Sequence, residues 1–507
     1  MFKNALVSVS DKTGLVEFLA PLAAKGLRIV STGGTAEHLK QAGLKVVDLK
    51  EQTGFPEVMG GRVKTLHPRV HMPLLARDFE RSDMDLLKKE GLEPFDLVIV
   101  NLYPFEQTLL KKDSEKLTEH DLIEKIDIGG PTLLRASAKN FSRITVVVDP
   151  RDYEWIAQKG ETDLADRKKL AGKVFAHVSR YDSLISHWFG AFGGPDLSFG
   201  GTLVQPLRYG ENPNQHAQWY AFSADTKGLH SAKVLQGKEL SYNNILDLEA
   251  ASLLVKEFDG PAAVAVKHNN PCGAATGADI LEALHKTVAG DPVSVFGGIV
   301  ALNREIGATE AEALGKIFLE CVVAPKVSPA ALEVFAKKKN VRVLEWPHLM
   351  NCARPVELRT VAGGFLVQSV QALGSDVNAW KFFGEVPDAE VMKDLIFAEK
   401  VCAALKSNAI AIVQNGQTLG LGMGQVNRVE AVLHAVARMK SHHSGRTRTV
   451  LASDAFFPFP DSIEKASEAG VKWILQPGGS LRDQEVFDAA KRLGVNMILT
   501  GERHFRH

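Results

Sequence analysis

Two adjacent titratable side chains, Lys267 and His268, stand where an apolar run, Ala262 to Val266, gives way to the polar stretch Asn269-Asn270-Pro271-Cys272-Gly273. Histidine titrates near neutrality and is a competent general base. A neighbouring lysine would hold it neutral and stabilise developing negative charge. A lone loop histidine is usually structural, but a Lys-His pair at the mouth of a buried strand favours chemistry. In the first half of the chain, Ser10-Asp11-Lys12, Thr32-Gly33-Gly34-Thr35 and Asn101-Leu102-Tyr103 each follow an apolar run. Hydroxyls, glycines and the free N–H groups of a helix start would suit a phosphate there, although a tight strand-to-helix turn explains the glycines equally well. The segment from Gly60 to Pro68 gathers Arg62, Lys64, Thr65 and His67, cations that can bind phosphate or stabilise an oxyanion. In isolation a solvated basic face is the blander account. Asp127-Ile128-Gly129-Gly130-Pro131 opens a helix carrying Arg135 and Lys139 four apart. Lys139 could exchange protons if burial and Arg135 weakened its hold on one, though a salt bridge is the commoner fate.

Later, Gly420, Gly422 and Gly424 precede Arg428 and leave room for close backbone approach without forming a dinucleotide fingerprint. Phe456, Phe457 and Phe459 lie between Asp454 and Asp461; core packing normally claims such rings, and stacking on a flat ligand is the second use. Zinc chemistry of the nucleobase-deaminase type is not supported, because Pro271-Cys272 lacks the second cysteine and no H-x-E occurs.

The elements that must hold these residues follow from periodicity. Ala5 to Val9, Leu27 to Ser31, Lys45 to Leu49, Asp96 to Val100 and Arg143 to Val148 read as buried strands, and helical spacing at Leu15, Phe18, Leu19 and Leu22 separates the first two. Such alternation predicts a parallel sheet covered by helices, with all the loops above on one edge. A long helix through Leu170, Val174, Val178, Tyr181 and Ile185 closes this part. The glycine-dense stretch from Phe189 to Gly201 predicts a linker, giving domains 1–199 and 200–507. Strands at Ala262 to Val266, Ala409 to Val413, Val450 to Ser453 and Trp473 to Gln476 make the second part α/β again.

With 507 residues, one small module is excluded. The 60 basic residues balance the 60 acidic ones, leaving no overall field for nucleic acid or an anionic membrane. The 45% apolar content is that of a globular chain. Four dispersed cysteines and no long apolar run argue for a reducing cytoplasm and against membrane insertion.

The strings SVSDKTGL, STGGT, GFPEVMGGRVKTLHP, NLYPF, IDIGGPTLLRASAKN, LRYGENPNQ, ELSYNN, VKHNNPCG, DPVSVFGGIVALN, KSNAI, GMGQVNR, SDAFFPFPDS and RHFRH occur in this order from end to end. The chain thereby resembles the bifunctional purine-biosynthesis enzymes AICAR transformylase/IMP cyclohydrolase. The resemblance implies a methylglyoxal-synthase-like cyclohydrolase domain, and a transformylase region of two cytidine-deaminase-like α/β subdomains without zinc. It also implies a homodimer with transformylase sites at the interface, 10-formyltetrahydrofolate as cosubstrate, AICAR and formyl-AICAR as substrates, and no metal. By the same resemblance Lys267 and His268 serve formyl transfer. Arg208, Tyr209, Gly297, Glu320, Asn408 and Arg428 hold the ribotide, and Phe456, Asp461, Ser480 and Arg503 lie on the folate side. Lys64, Tyr103, Asp127 and Lys139 close the ring. Ser10, Asp11, Lys12, Thr32, Gly33, Gly34, Thr35, Arg62, Thr65 and Asn101 bind phosphate and ribose. One departure stands out: after His71 the family commonly has a glycine pair, whereas this chain has Met72-Pro73. Proline biases its predecessor toward an extended conformation, so the neighbouring loop is expected to differ. A transformylase with impaired cyclisation is the first alternative, and a non-catalytic purine-ribotide sensor the second.

Overall fold

The computed structural model describes every residue except Met1, 60–61, 191–193, 223–226 and 355. Gly60 and Gly61 of the basic segment, and part of the glycine-dense linker, therefore lie outside the described residues. The chain divides into two compact units, one running to Thr202 and including Phe222, the other beginning at Leu203.

In the first unit, strands β1 (Asn4–Ser8), β2 (Arg28–Ser31), β3 (Val46–Asp48), β4 (Leu97–Val100) and β5 (Thr145–Val147) form one sheet in the order β3-β2-β1-β4-β5. Every pairing is parallel, as the alternation predicts. Both faces of β4 are buried because helices cover each side, which is why Leu97 to Val100 is a continuous apolar run. The 25-residue helix Leu164–Trp188 starts on an Asp163–Asp166 capping box and lays Leu170, Val174, Val178 and Tyr181 on the core.

The second unit opens with a two-stranded sheet of β6 (Thr202–Leu207) and β7 (Ala217–Ala221). Its main sheet has twelve strands and is mixed. One half contains β8 (Lys233–Gln236), β9 (Ala262–Lys267), β10 (Asn270–Thr276), β11 (Ile299–Leu302), β12 (Cys321–Ala324) and β13 (Arg342–Glu345). A separate hairpin, β14 (Glu357–Val361) and β15 (Gly364–Gln368), follows it. The other half contains β16 (Lys381–Phe383), β17 (Ile410–Gln414), β18 (Gln417–Gly422), β19 (Thr449–Ser453), β20 (Val471–Gln476) and β21 (Asn496–Leu499). The order β16-β21-β20-β19-β17-β18-β10-β9-β11-β12-β13-β8 reads the same outward from its centre. Each half has a hairpin at the seam, then three parallel strands, then an antiparallel edge strand. The expected pair of similar subdomains is thus a duplication fused into one sheet. The fusion is narrow, with Ala275 of β10 opposite Gln417 of β18.

Alternation along the strands builds the layers. Val264 and Val266 face the cluster that includes helices Tyr242–Val255 and Ala389–Ala404, while Ala263 and Ala265 face helix Ile280–Gly290 on the opposite side. Each valine buried in this way contributes roughly 1.5–3 kcal/mol.

Candidate active sites

In the first unit the loops beyond β1, β2 and β4 meet the 62–67 segment and the start of helix Gly129–Lys139. Glycines permit the approach. A Cβ on Gly33, whose φ is 52°, would collide with Lys64 Nζ; one on Gly129 would strike the Thr65 hydroxyl, and one on Gly130 the Asp127 carboxylate. Asp127 accepts the N–H groups of Gly130 at 2.7 Å and Tyr103 at 3.3 Å. Burial raises its proton affinity, and those two hydrogen bonds oppose the rise. The Tyr103 phenol is also pushed up, chiefly by burial and then by the charges of Asp127 and Glu57. Lys64 pairs with Glu57 at 3.1 Å, and Arg62 pairs with Glu124.

Several sequence-predicted binding residues hold the loops rather than face outward. Asn101 accepts the N–H groups of Ser10 at 2.6 Å and Asp11 at 3.0 Å and donates to Asp11 O. The buried Thr35 hydroxyl both accepts from Val9 N and donates to Val9 O. Asp11 turns to Thr13, while Lys12 Nζ reaches Ser10 O at 3.3 Å. Thr32, Gly33 and Gly34 form the β2-to-helix turn, with Thr32 at the N-cap and no side-chain bond closing it. Lys139 is not brought to this cluster. It is exposed in the last turn of its helix, about 15 Å along the axis from Gly129 at 1.5 Å per residue. Arg135 stacks on the Phe175 ring, 5.4 Å from its centroid.

The expectation that Pro73 extends Met72 is overturned. Both lie inside the helix Pro68–Leu75. The proline removes the N–H that would reach Arg69 O, and Gln52 Nε2 supplies a donor to that carbonyl at 3.1 Å. Pro73 O in turn accepts from Arg143 Nη2 at 2.8 Å. The premise for impaired cyclisation disappears with the extended loop. Tyr181, read from sequence only as an apolar position of the long helix, also serves this site: its hydroxyl accepts the Asp127 N–H at 2.8 Å and donates to Lys125 O at 2.7 Å. With Asp127, Ile128, Pro131 and Ile185 it lines a cavity of about 380 Å³.

In the second unit the strand registers put one set of loops on a single sheet edge. Val266 lies opposite Ile299, so the β9–β10 turn and the starts of β11 and β12 share that edge. Ile410 lies opposite both Gly422 and Ser453, which adds the start of β17 and the ends of β18 to β21. Asn270 Oδ1 joins the two sets directly by accepting Lys406 N–H at 3.0 Å. Lys267, His268, Gly297, Glu320, Asn408, Arg428, Phe456, Asp461, Ser480 and Arg503 all fall on this edge. Arg208 and Tyr209 lie just after β6, where their side chains stack at 5.5 Å.

His268 and Asn269 form a two-residue hairpin turn with φ of 53° and 61°, values a side-chain-bearing residue rarely adopts. His268 is exposed there. Lys267 Nζ donates to Phe296 O at 2.7 Å and lies beside Gly297, with the half-exposed Phe296 and Phe318 rings 5.2 Å apart next to it. Glu320 pairs with Arg342 at 2.9 Å. Because β10 and β18 splay apart beyond their pairing at Ala275, a cavity of about 240 Å³ opens between them. Lys267, His268, Cys272, Asp291, Thr418 and Arg438 are among its walls. Asp291 and Arg438, an ion pair, were not singled out from sequence. Burial pushes the Cys272 thiol up to about 12, so it is neutral at physiological pH.

Arg428 is buried and engages Asp454, Ser453 Oγ at 2.8 Å and Asn408 Oδ1 at 2.6 Å. Of the three rings, Phe457 is fully buried, while Phe456 and Phe459 are 39% and 47% exposed. Only the latter two are available to a ligand. Asp461 opens its helix, Ser480 Oγ accepts Arg482 N–H, and Arg503 stacks on Phe505. Of the glycines before Arg428, two serve packing: a Cβ on Gly420 or Gly422 would overlap Ala435 O or Ala431 O of helix Arg428–His442, whereas nothing lies within 4 Å of a Cβ on Gly424. Gly420 and Gly422 thus admit a helix.

Two units, each with ionisable groups gathered on a sheet edge, define a two-site α/β enzyme. A family model described as the AICARFT/IMPCHase bienzyme matches residues 137–438, and one described as an MGS-like domain matches residues 14–132. The chain is 47% identical to the bifunctional purine biosynthesis protein PurH of Ruminiclostridium cellulolyticum, 48% to that of Synechocystis sp. and 46% to that of Bacillus mycoides. Each comparison covers all of both chains. This chain belongs to the AICARFT/IMPCHase bienzyme family.

Proposed function

We propose that this enzyme performs the last two steps of IMP formation: formyl transfer from 10-formyltetrahydrofolate to the 5-amino group of AICAR, then dehydrative closure of formyl-AICAR. The amine is a weak nucleophile because its lone pair delocalises toward the ring and carboxamide. His268 takes its proton as it attacks the formyl carbon, and Lys267 stabilises the oxyanion or protonates the departing folate nitrogen as the carbon–nitrogen bond breaks. Arg208, Tyr209, Gly297, Glu320, Asn408 and Arg428 hold the ribotide; Phe456, Asp461, Ser480 and Arg503 contact the folate. Ring closure uses the first unit and no cosubstrate. The carboxamide nitrogen adds to the formyl carbon and water leaves, so positioning supplies most of the effect. Lys64 stabilises the oxyanion, while Tyr103 and Asp127 exchange protons. Ser10 to Lys12, Thr32 to Thr35, Arg62, Thr65 and Asn101 shape the phosphate and ribose end. The heterocyclic end of the nucleotide extends along the helix that Gly129 opens, toward Lys139, which also handles a proton. The protein acts as a cytoplasmic homodimer whose transformylase sites lie at the subunit interface. Among the described residues no helix is long and apolar enough to cross a membrane.

The observation that carries this reading is the convergence of a Lys-His turn, a buried arginine network and exposed rings on one sheet edge, in a chain with full-length relatives named as bifunctional. Purified protein given AICAR and 10-formyltetrahydrofolate should form IMP. His268→Ala should abolish formyl transfer yet close supplied formyl-AICAR, and Asp127→Asn should do the reverse. Loss of both steps in either variant would overturn the two-site assignment.

A further inference from the structure

The duplicated halves allow one residue's role to be isolated. The β9–β10 turn, His268-Asn269, and the β17–β18 turn, Asn415-Gly416, occupy equivalent places, and all four residues have φ between 52° and 62°. A turn with both central residues left-handed favours Asn-Gly, as the β17–β18 turn has, and strains a histidine. In each half a buried or half-buried aspartate on the helix before the hairpin accepts the turn's backbone N–H groups. Asp394 accepts those of Asn415 at 2.8 Å and Gly416 at 2.7 Å. Asp247 accepts that of Asn269, and the His268 N–H also lies against it. Both aspartates are the sixth residue of their helices, Tyr242–Val255 and Ala389–Ala404. Burial raises the proton affinity of each carboxyl, and these N–H donors partly oppose it. Neither aspartate therefore has a comfortable site of its own; each is kept where the turn can use it.

We infer that Asp247 is a positioning residue for formyl transfer: it pins the strained His268-Asn269 turn so that the imidazole stays presented at the sheet edge, whereas Asp394 does the same mechanical work for a turn without chemistry. This rests on the role proposed for His268. Asp247 acts through the backbone and touches no reacting atom, so its loss should lower kcat and leave KM for AICAR nearly unchanged.

The test uses the full-length enzyme and both half-reactions, with ring closure of supplied formyl-AICAR as an internal measure of intact protein. Asp247→Ala should lower kcat for formyl transfer at least tenfold with KM for AICAR within about twofold. Asp247→Asn, which keeps one acceptor, should recover most of the loss. Asp394→Ala should lower the melting temperature similarly yet leave formyl transfer within about twofold of wild type. In the Asp247→Ala background, Asn269→Gly supplies the residue the turn prefers and should partly restore kcat. This double variant also keeps the test decisive should Asp247→Ala alone fold poorly. Equal effects of Asp247→Ala and Asp394→Ala on formyl transfer, or no rescue by Asn269→Gly, would overturn the inference. Absence of formyl transfer in the wild type would instead overturn the proposed function.

Discussion

The two edges of the twelve-stranded sheet share one scaffold and differ in what fills it. At the edge facing the ends of β19 to β21, Asp454 N–H donates to Ala409 O, and the Asp454 carboxylate engages Arg428 and Ser407. At the edge facing the ends of β11 to β13, Asn303 N–H donates to Ala262 O in the same way. Its amide, however, is spent on the chain itself, accepting from Ala262 N and donating to Phe258 O and Gly260 O, each at 2.8 Å. Arg428 is the first residue of its helix after the Asn427 cap; its counterpart after the Asp279 cap is Ile280. The helix-on-strand contact is unchanged, since Gly273 lies under Thr287 O as Gly420 lies under Ala435 O. Residues that differ between equivalent positions therefore mark the chemistry, and residues that agree mark the architecture.

The widest separation of the edges should come from giving the working turn its sister's residues. His268→Asn with Asn269→Gly is expected to lower formyl transfer by about 10²–10⁴, the usual contribution of a general base. Stability should rise by a few tenths of a kcal/mol or more as turn strain is relieved, measured by chemical denaturation. Loss of stability instead would mean that the histidine is not strained.

Next in size, Arg428→Ala leaves Asp454 as an uncompensated buried charge and should cost about 3–5 kcal/mol together with formyl transfer. Asn303→Ala should cost about 1–3 kcal/mol and leave formyl transfer intact. The comparison breaks if Asn303→Ala is the one that stops turnover. Smaller and symmetric effects are expected from Gly273→Ala and Gly420→Ala, each overpacking a helix against a strand by about 1–3 kcal/mol. Clearly unequal melting temperatures would show that the halves are not packed alike.

The smallest effect is a pH trend. Burial raises the Asp394 carboxyl in the folded state, so its proton favours folding, and this contribution is fully present below the ordinary carboxylate range. Wild type loses it as pH rises through the raised value, while Asp394→Asn has nothing to lose. The stability of the variant relative to wild type should therefore improve from about pH 4 toward neutrality. A flat difference would remove burial as the cause.

Much of this was legible in the chain. All five strands of the first unit lie within a residue or two of their apolar runs, because a doubly covered parallel sheet demands continuous burial. The edge rule then collected Ser10, Thr32 and Asn101 without a coordinate. The resemblance implied two similar subdomains, but the residues themselves show no visible repeat, because only positions fixed by geometry recur: Asp247 with Asp394, Ala262 with Ala409 and Gly273 with Gly420 lie at one constant offset, while the residues between them differ. A search for aspartate and glycine at a shared spacing is the signal that would have found it. Gly420 and Gly422 were open to misreading because a helix backbone and a ligand impose the same steric demand. The roles of Asn101 and Thr35 as loop ties depend on which partner each polar atom reaches, which spacing alone does not specify.

The helix holding Pro73 also ties together two positions far apart in the chain. Gln52 Nε2 reaches across to the Arg69 carbonyl that Pro73 leaves without its helical donor. A residue at position 52 with no side-chain donor would take that hydrogen bond away, so the proline in one helix gives a glutamine in another a role it would not otherwise have.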